Sequence, residues 1–138
     1  MKYFDKDFML GNLSDDETEF RIKKYNEQIE NILRKADYSI RLLISNISLH
    51  DAQIQKIETK DNALLIQISG GDNQTGHFSL IIYFDINSKI DANNIMLPFN
   101  IAYYEYDFNK EYILSLISDD EREMEIRFNE VSIRIDNK

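Results

Sequence analysis

The chain has 138 residues, 43% of them hydrophobic and 30% charged, with a formal net charge of -9 and no cysteine. That length suits one domain built on one core, residues 1–138, and the missing cysteine excludes disulfides and thiolate metal sites. The charge argues against nucleic acid, whose affinity comes largely from Lys and Arg displacing phosphate counterions, and points instead toward a basic protein partner.

Asp5 and Asp7 interrupt the first apolar stretch, and no later one reaches membrane-spanning length. A cytoplasmic protein with no membrane partner is expected. The Asn-x-Ser/Thr triplets at Asn12, Asn46 and Asn73 are then accidents of an asparagine-rich chain.

In chain order, Ser14 followed by Asp15, Asp16 and Glu17 predicts a helix start: a hydroxyl cap with negative charge at the positive end of the helix dipole. Ile22, Tyr25, Ile29, Ile32, Leu33 and Ala36 recur at helical spacing, leaving Arg21, Lys23, Lys24, Glu27, Glu30 and Arg34 for the other face. Arg34 and Lys35 suit its last turn, and Asp37 can cap the next element. Residues 40–44, with Ile40, Leu42, Leu43 and Ile44, fit a second short helix or a buried strand, the helix being the preferred reading.

Past Asn46 the texture becomes β-branched and aromatic, predicting strands joined by hairpins. Segments 52–58 and 63–69 flank a turn at 60–62. The glycine-bearing stretch 70–76 leads into 78–84, which is apolar on both faces and reads as a central strand. Segment 87–94 is loop-like, and Pro98 excludes a central strand or helix interior at that point. Strands resume at 101–108, 112–118 and 123–128. Val131, Ile133 and Ile135 then alternate in the opposite phase to Met124, Ile126 and Phe128, which predicts a bulge near Asn129 and Glu130. The expected fold is α+β, with an N-terminal long amphipathic helix packed on a mainly antiparallel sheet of about six strands.

Chemistry is sparse. His50 and His77 are the two histidines, too few for an imidazole metal site without using both, and no metal or cofactor is expected. No Gly-x-Ser-x-Gly elbow occurs, and the glycines at 70, 71 and 76 lack the Lys-Ser/Thr of a phosphate loop. His50 beside Asp51 could form a base with an orienting carboxylate, although a turn in which Asp51 is a cap explains the pair as well. The acidic run Asp119, Asp120 and Glu121 reads as a turn, lacking the spacing and glycine of a calcium loop. In segment 101–108 alternation puts Tyr103, Glu105 and Asp107 on one face. A tyrosine with two acids is either a solvated sheet face or a surface for a partner protein.

The segments Met1-Lys2-Tyr3-Phe4, Leu49-His50-Asp51-Ala52 and Glu123-Met124-Glu125-Ile126-Arg127-Phe128 resemble those of a family of small bacterial proteins of unknown function from low-GC organisms. The resemblance implies a cytoplasmic bacterial protein with no assigned activity, so it transfers no catalytic residue. In size and charge the chain is also similar to small acidic α+β proteins that neutralise toxins. Two readings are open: a non-enzymatic protein-interaction module, toxin-neutralising in one version, contacting its partner through Tyr103, Glu105 and Asp107; or a small hydrolase or isomerase using His50 and Asp51.

Overall fold

The computed structural model describes residues 1–60, 63–70, 78–86 and 96–137. Three helices, α1 (Lys6–Met9), α2 (Asp15–Lys35) and α3 (Tyr38–Asn46), precede strands β1 (Ala52–Lys60), β2 (Ala63–Gly70), β3 (Phe78–Ile86), β4 (Phe99–Asn109), β5 (Glu111–Ser118) and β6 (Glu123–Asn137). The fold is α+β with an antiparallel sheet and a long helix. That helix is not the N-terminal element, however: the segment before it folds into α1, whose first turn is capped by the Asp5 carboxylate accepting the Phe8 N–H.

Helix α2 begins at the expected cap, with the Ser14 side chain accepting the Glu17 N–H, a bond that contributes about 1 kcal/mol in helices generally. Its inner face differs from the hydrophobic pattern by one residue. Ile22 is 41% exposed, whereas Arg21 is turned inward. The cause is polar: the Arg21 guanidinium reaches the Tyr3 carbonyl at 3.1 Å and the Asp5 carboxylate at 3.0 Å, while its apolar stem covers the surface below. Asp37 caps α3 by accepting the Ile40 N–H, and Ile40 and Leu43 are fully buried, so the open choice at 40–44 is a helix.

The strands close on themselves in the order β1-β2-β3-β6-β5-β4, with β4 returning to β1. Strand 78–84 lies within β3, flanked by β2 and β6, and in a closed sheet no strand is more central than another. Strand β6 is one continuous element. Asn129 falls between Phe128, opposite Ile86, and Glu130, opposite Asp85; this is the bulge predicted there, and near it β6 passes from pairing with β5 to pairing with β3. Buried residues alternate along β2, where Leu64, Ile66 and Ile68 join Ile54, Phe99, Ile101, Tyr106, Leu114, Leu116, Ile126 and Phe128 in one cluster. Ile32, Ala36, Ile40 and Leu43 from the helices belong to the same cluster, with α2 against β4 and α3 against β6. No described helix is long and apolar enough to cross a membrane. The turn at 61–62, the glycine-bearing loop with His77, and the loop expected at 87–94 lie outside the described residues.

Candidate functional site

Strand β4 organises the site because its two edges are treated differently. Toward β5 it forms a ladder from Ile101 to Asn109, with one extra residue at Ala102. Toward β1 it pairs only at Phe99 and Asn100. Beyond that point the edge faces a seam filled by helix α2 and by the turn before β1.

The seam is closed by side chains. The Tyr106 N–H donates to the Tyr25 hydroxyl at 2.9 Å, and the Tyr106 carbonyl accepts from the Gln28 amide at 2.7 Å. The Ala102 carbonyl accepts from His50 Nδ1 at 2.6 Å, and the Asp51 N–H donates to the Ile101 carbonyl at 3.0 Å. Because a carbonyl can only accept, Nδ1 carries a proton, and in the neutral ring Nε2 then holds the lone pair.

The outer face of β4 is covered by the chain's own first residues. The Glu105 carboxylate accepts the N–H groups of Lys2, Tyr3 at 2.9 Å and Phe4 at 3.1 Å. Glu105 is only 5% exposed, so it is not an open contact residue: a buried carboxylate needs donors, and three main-chain amides supply them. Tyr103 lies under the rings of Phe4, Phe8 and His50, at centroid separations of 6.3, 5.3 and 5.3 Å. Asp107 is half-buried, and its carboxylate accepts the Phe108 N–H next to it at 2.7 Å. Tyr103, Glu105 and Asp107 do share a face, as alternation predicts, but residues 2–8 occupy the Tyr103 and Glu105 part of it.

Where the seam stays open there is a cleft of about 410 Å³. Phe4, Tyr25, Tyr103, Tyr104 and His50 supply its aromatic walls, and Asn26, Ile29 and Ile44 complete them with Tyr106. Burial pushes the Tyr25 hydroxyl well above the ordinary tyrosine value; Tyr104, Glu105 and Asp107 add to that rise, against the bond from the Tyr106 N–H. Tyr106 is raised too, by burial first and then by Tyr104 and Tyr25. Its hydroxyl is buried with no hydrogen-bond partner among the described residues.

The His50 and Asp51 pair is not a tight dyad. Nε2 stands 3.6 Å from the Asp51 carboxylate, beyond hydrogen-bond length, and the Asp51 side chain is 70% exposed. Asp51 instead occupies the left-handed region, φ 60°, in the turn that leads into β1. A second, larger cleft of about 690 Å³ runs beside the end of α2, with charges of both signs from Lys24, Glu27, Arg34 and Asp107. Among the described residues no group of three or more His, Asp or Glu is placed to hold a metal ion.

The sequence points to Tyr103, Glu105, Asp107, His50 and Asp51 but not to the polar roles of Arg21, Tyr25 and Gln28. Helical periodicity places Tyr25 in the core and Arg21 on the outer face and singles out Gln28 for neither, yet all three make polar bonds to main chain distant in sequence. The signal that could have found them is a polar residue at spacings of 4 and 7 on a buried face. Two of the three segments carrying the family resemblance, Met1–Phe4 and Leu49–Ala52, converge on β4. The chain matches no family model, no curated protein and no solved structure.

Proposed function

We propose that this protein is a non-enzymatic protein-interaction module whose contact site is the aromatic cleft at the β4 seam, with a basic protein as partner. The observation that carries the reading is the cleft itself: five aromatic side chains and one imidazole around about 410 Å³ of space. Tyrosine rings give large, rigid contact area at low entropic cost, and such residues dominate the energetics of protein interfaces. The net charge of -9 favours encounter with a basic surface, and a toxin-neutralising role is one version of this reading.

Affinity capture at native expression, followed by quantitative binding with the purified partner, tests it. Asn26→Arg fills the cleft mouth from an exposed helical position; binding should fall by about tenfold or more while the melting temperature holds. A partner bound equally well by both forms would move the contact elsewhere, and repeated capture of none would remove the reading.

A second reading, a small hydrolase or isomerase, is favoured by one observation: His50 lines the cleft with its Nε2 lone pair available. In that reading Nε2 is the base and the Ala102 carbonyl, not Asp51, fixes the tautomer. Turnover of an ester or ketone panel should then vanish in His50→Gln and survive in Asp51→Asn. Activity that survives His50→Gln removes this reading.

A further inference from the structure

Strand β4 presents main-chain groups alternately to its two sides. In an antiparallel ladder a residue directs both its N–H and its C=O the same way. Tyr106 directs both toward the seam, to Tyr25 and Gln28. Tyr104, two residues earlier in an uninterrupted stretch of the register, therefore does so as well. No side chain among the described residues takes up the Tyr104 pair, although the groups on either side of it are capped, by His50 at Ala102 and by α2 at Tyr106. Tyr104 also lines the aromatic cleft. An open strand edge one residue long thus lies in an aromatic hollow, where its donor and acceptor are free to pair with an incoming strand.

We propose that this cleft receives an extended segment of the basic partner: one residue pairs through its main chain with Tyr104, and that residue's Arg or Lys side chain lies against the rings of Phe4, Tyr25 and Tyr103. This rests on the interaction reading above and names what the site recognises. One general rule and two observations choose a cation over an apolar side chain. Aromatic faces attract cations held within about 6 Å of a ring centre. Glu105 and Asp107 already place a negative potential at the Tyr25 hydroxyl, with Asp51 next to His50 on the rim. The whole chain carries -9.

The test uses the full chain, labelled with ¹⁵N, and three capped tripeptides as probes: acetyl-Val-Arg-Val-amide, its citrulline analogue, and its N-methyl-arginine analogue. The arginine peptide should shift the Tyr104 amide resonance saturably at millimolar concentration. Citrulline, neutral but of the same shape, should bind about fivefold more weakly. The N-methyl peptide should not bind, because it lacks the donor needed by the Tyr104 carbonyl. Absence of a saturable Tyr104 shift up to about 10 mM overturns the inference in a protein whose spectrum is dispersed. Equal binding of arginine and citrulline overturns the cation, and equal binding of the N-methyl peptide overturns the strand pairing. Asn26→Arg, tested in parallel with the captured partner, separates the two levels. Loss of partner binding without any peptide effect leaves the interaction module standing and removes this account of its ligand. Peptide binding by a chain that captures no partner supports the cleft chemistry and removes the module.

Discussion

The two edges of β4 meet the same requirement by different means. Toward β5, main chain pairs with main chain, a repetitive arrangement that depends little on which side chains are present. Toward β1, pairing stops after Phe99 and Asn100, and single side chains from α2 and the β1 turn bond the main-chain groups of Tyr106 and Ala102 on either side of the open Tyr104 pair. The contrast shows where this fold tolerates substitution and where it does not. A ladder survives most replacements; a side-chain cap is lost with one, and leaves a buried main-chain group unpaired.

The sharpest break in that contrast is at Glu105, whose main chain belongs to the β5 ladder while its carboxylate holds residues 2–4 over the strand. Glu105→Gln replaces an acceptor of three N–H groups by an amide that brings donors against donors, and should cost about 3 kcal/mol in urea unfolding. Asp107→Asn, on the same face but bonded only to its neighbour's N–H, should stay within about 0.5 kcal/mol. Equal losses would mean that the covering segment is not held by Glu105.

Next come the caps of the seam. Gln28→Ala orphans the Tyr106 carbonyl and Tyr25→Phe orphans its N–H; each should cost about 1–2 kcal/mol, and the pair should couple. Alkaline unfolding tests the same residues. Folding raises the Tyr25 and Tyr106 hydroxyls above their ordinary value of 10.0, so above that pH the unfolded chain releases protons that the folded chain keeps. Stability should be full below pH 10 and should fall by about 1.4 kcal/mol per pH unit for each such tyrosine as the pH rises. Tyr25→Phe should reduce that slope by one tyrosine's share.

Hydrogen exchange distinguishes the two edges without mutation. The Glu105 amide, directed into the β5 ladder, should exchange slowly, and the Tyr104 amide, directed into the open seam, should exchange about tenfold or more faster. Similar protection of the two would contradict the assigned direction of Tyr104.

The same contrast explains what could be read from the chain. Ser14, the alternation of β2 and the bulge at Asn129 are local signals, and each is visible within a few residues of sequence. Closure of the barrel and the covering of Glu105 depend on pairings between residues 2–4 and 105, or 53–54 and 99–100, that no periodicity reports. Glu105 alternates like a solvent-facing acid, and only its three distant amide donors make it a buried one. Ile22 shows the converse error: it has the right spacing for core, but Arg21 wins the inward position because it satisfies a carbonyl and a carboxylate.

The smallest expected effect is at the other end of the seam, where β4 does reach β1. There the β5–β6 turn acts as a clamp. The Asp119 N–H donates to the Asn100 carbonyl, the Arg122 guanidinium donates to the Pro98 carbonyl at 3.2 Å, and it also lies over the Phe99 ring at 5.3 Å. Asp120 orients that guanidinium, and its carboxyl is held below the ordinary 3.8 by the Ser118 hydroxyl first and by Arg122 second. With a depressed folded value, the carboxylate's contribution is complete above pH 3.8 and disappears as the pH falls further, when protonation releases both partners. Because Asp120 is solvent-exposed, salt and water screen the interaction and the change should be slight. It should nonetheless be localised: below pH 3.8, Phe99 and Asn100 should lose exchange protection before the β4–β5 ladder does, and Asp120→Asn should already show that loosened closure at neutral pH. If the ladder and the closure open together on acidification, the two edges of β4 are one cooperative unit, and the seam is not an independently yielding part of the barrel.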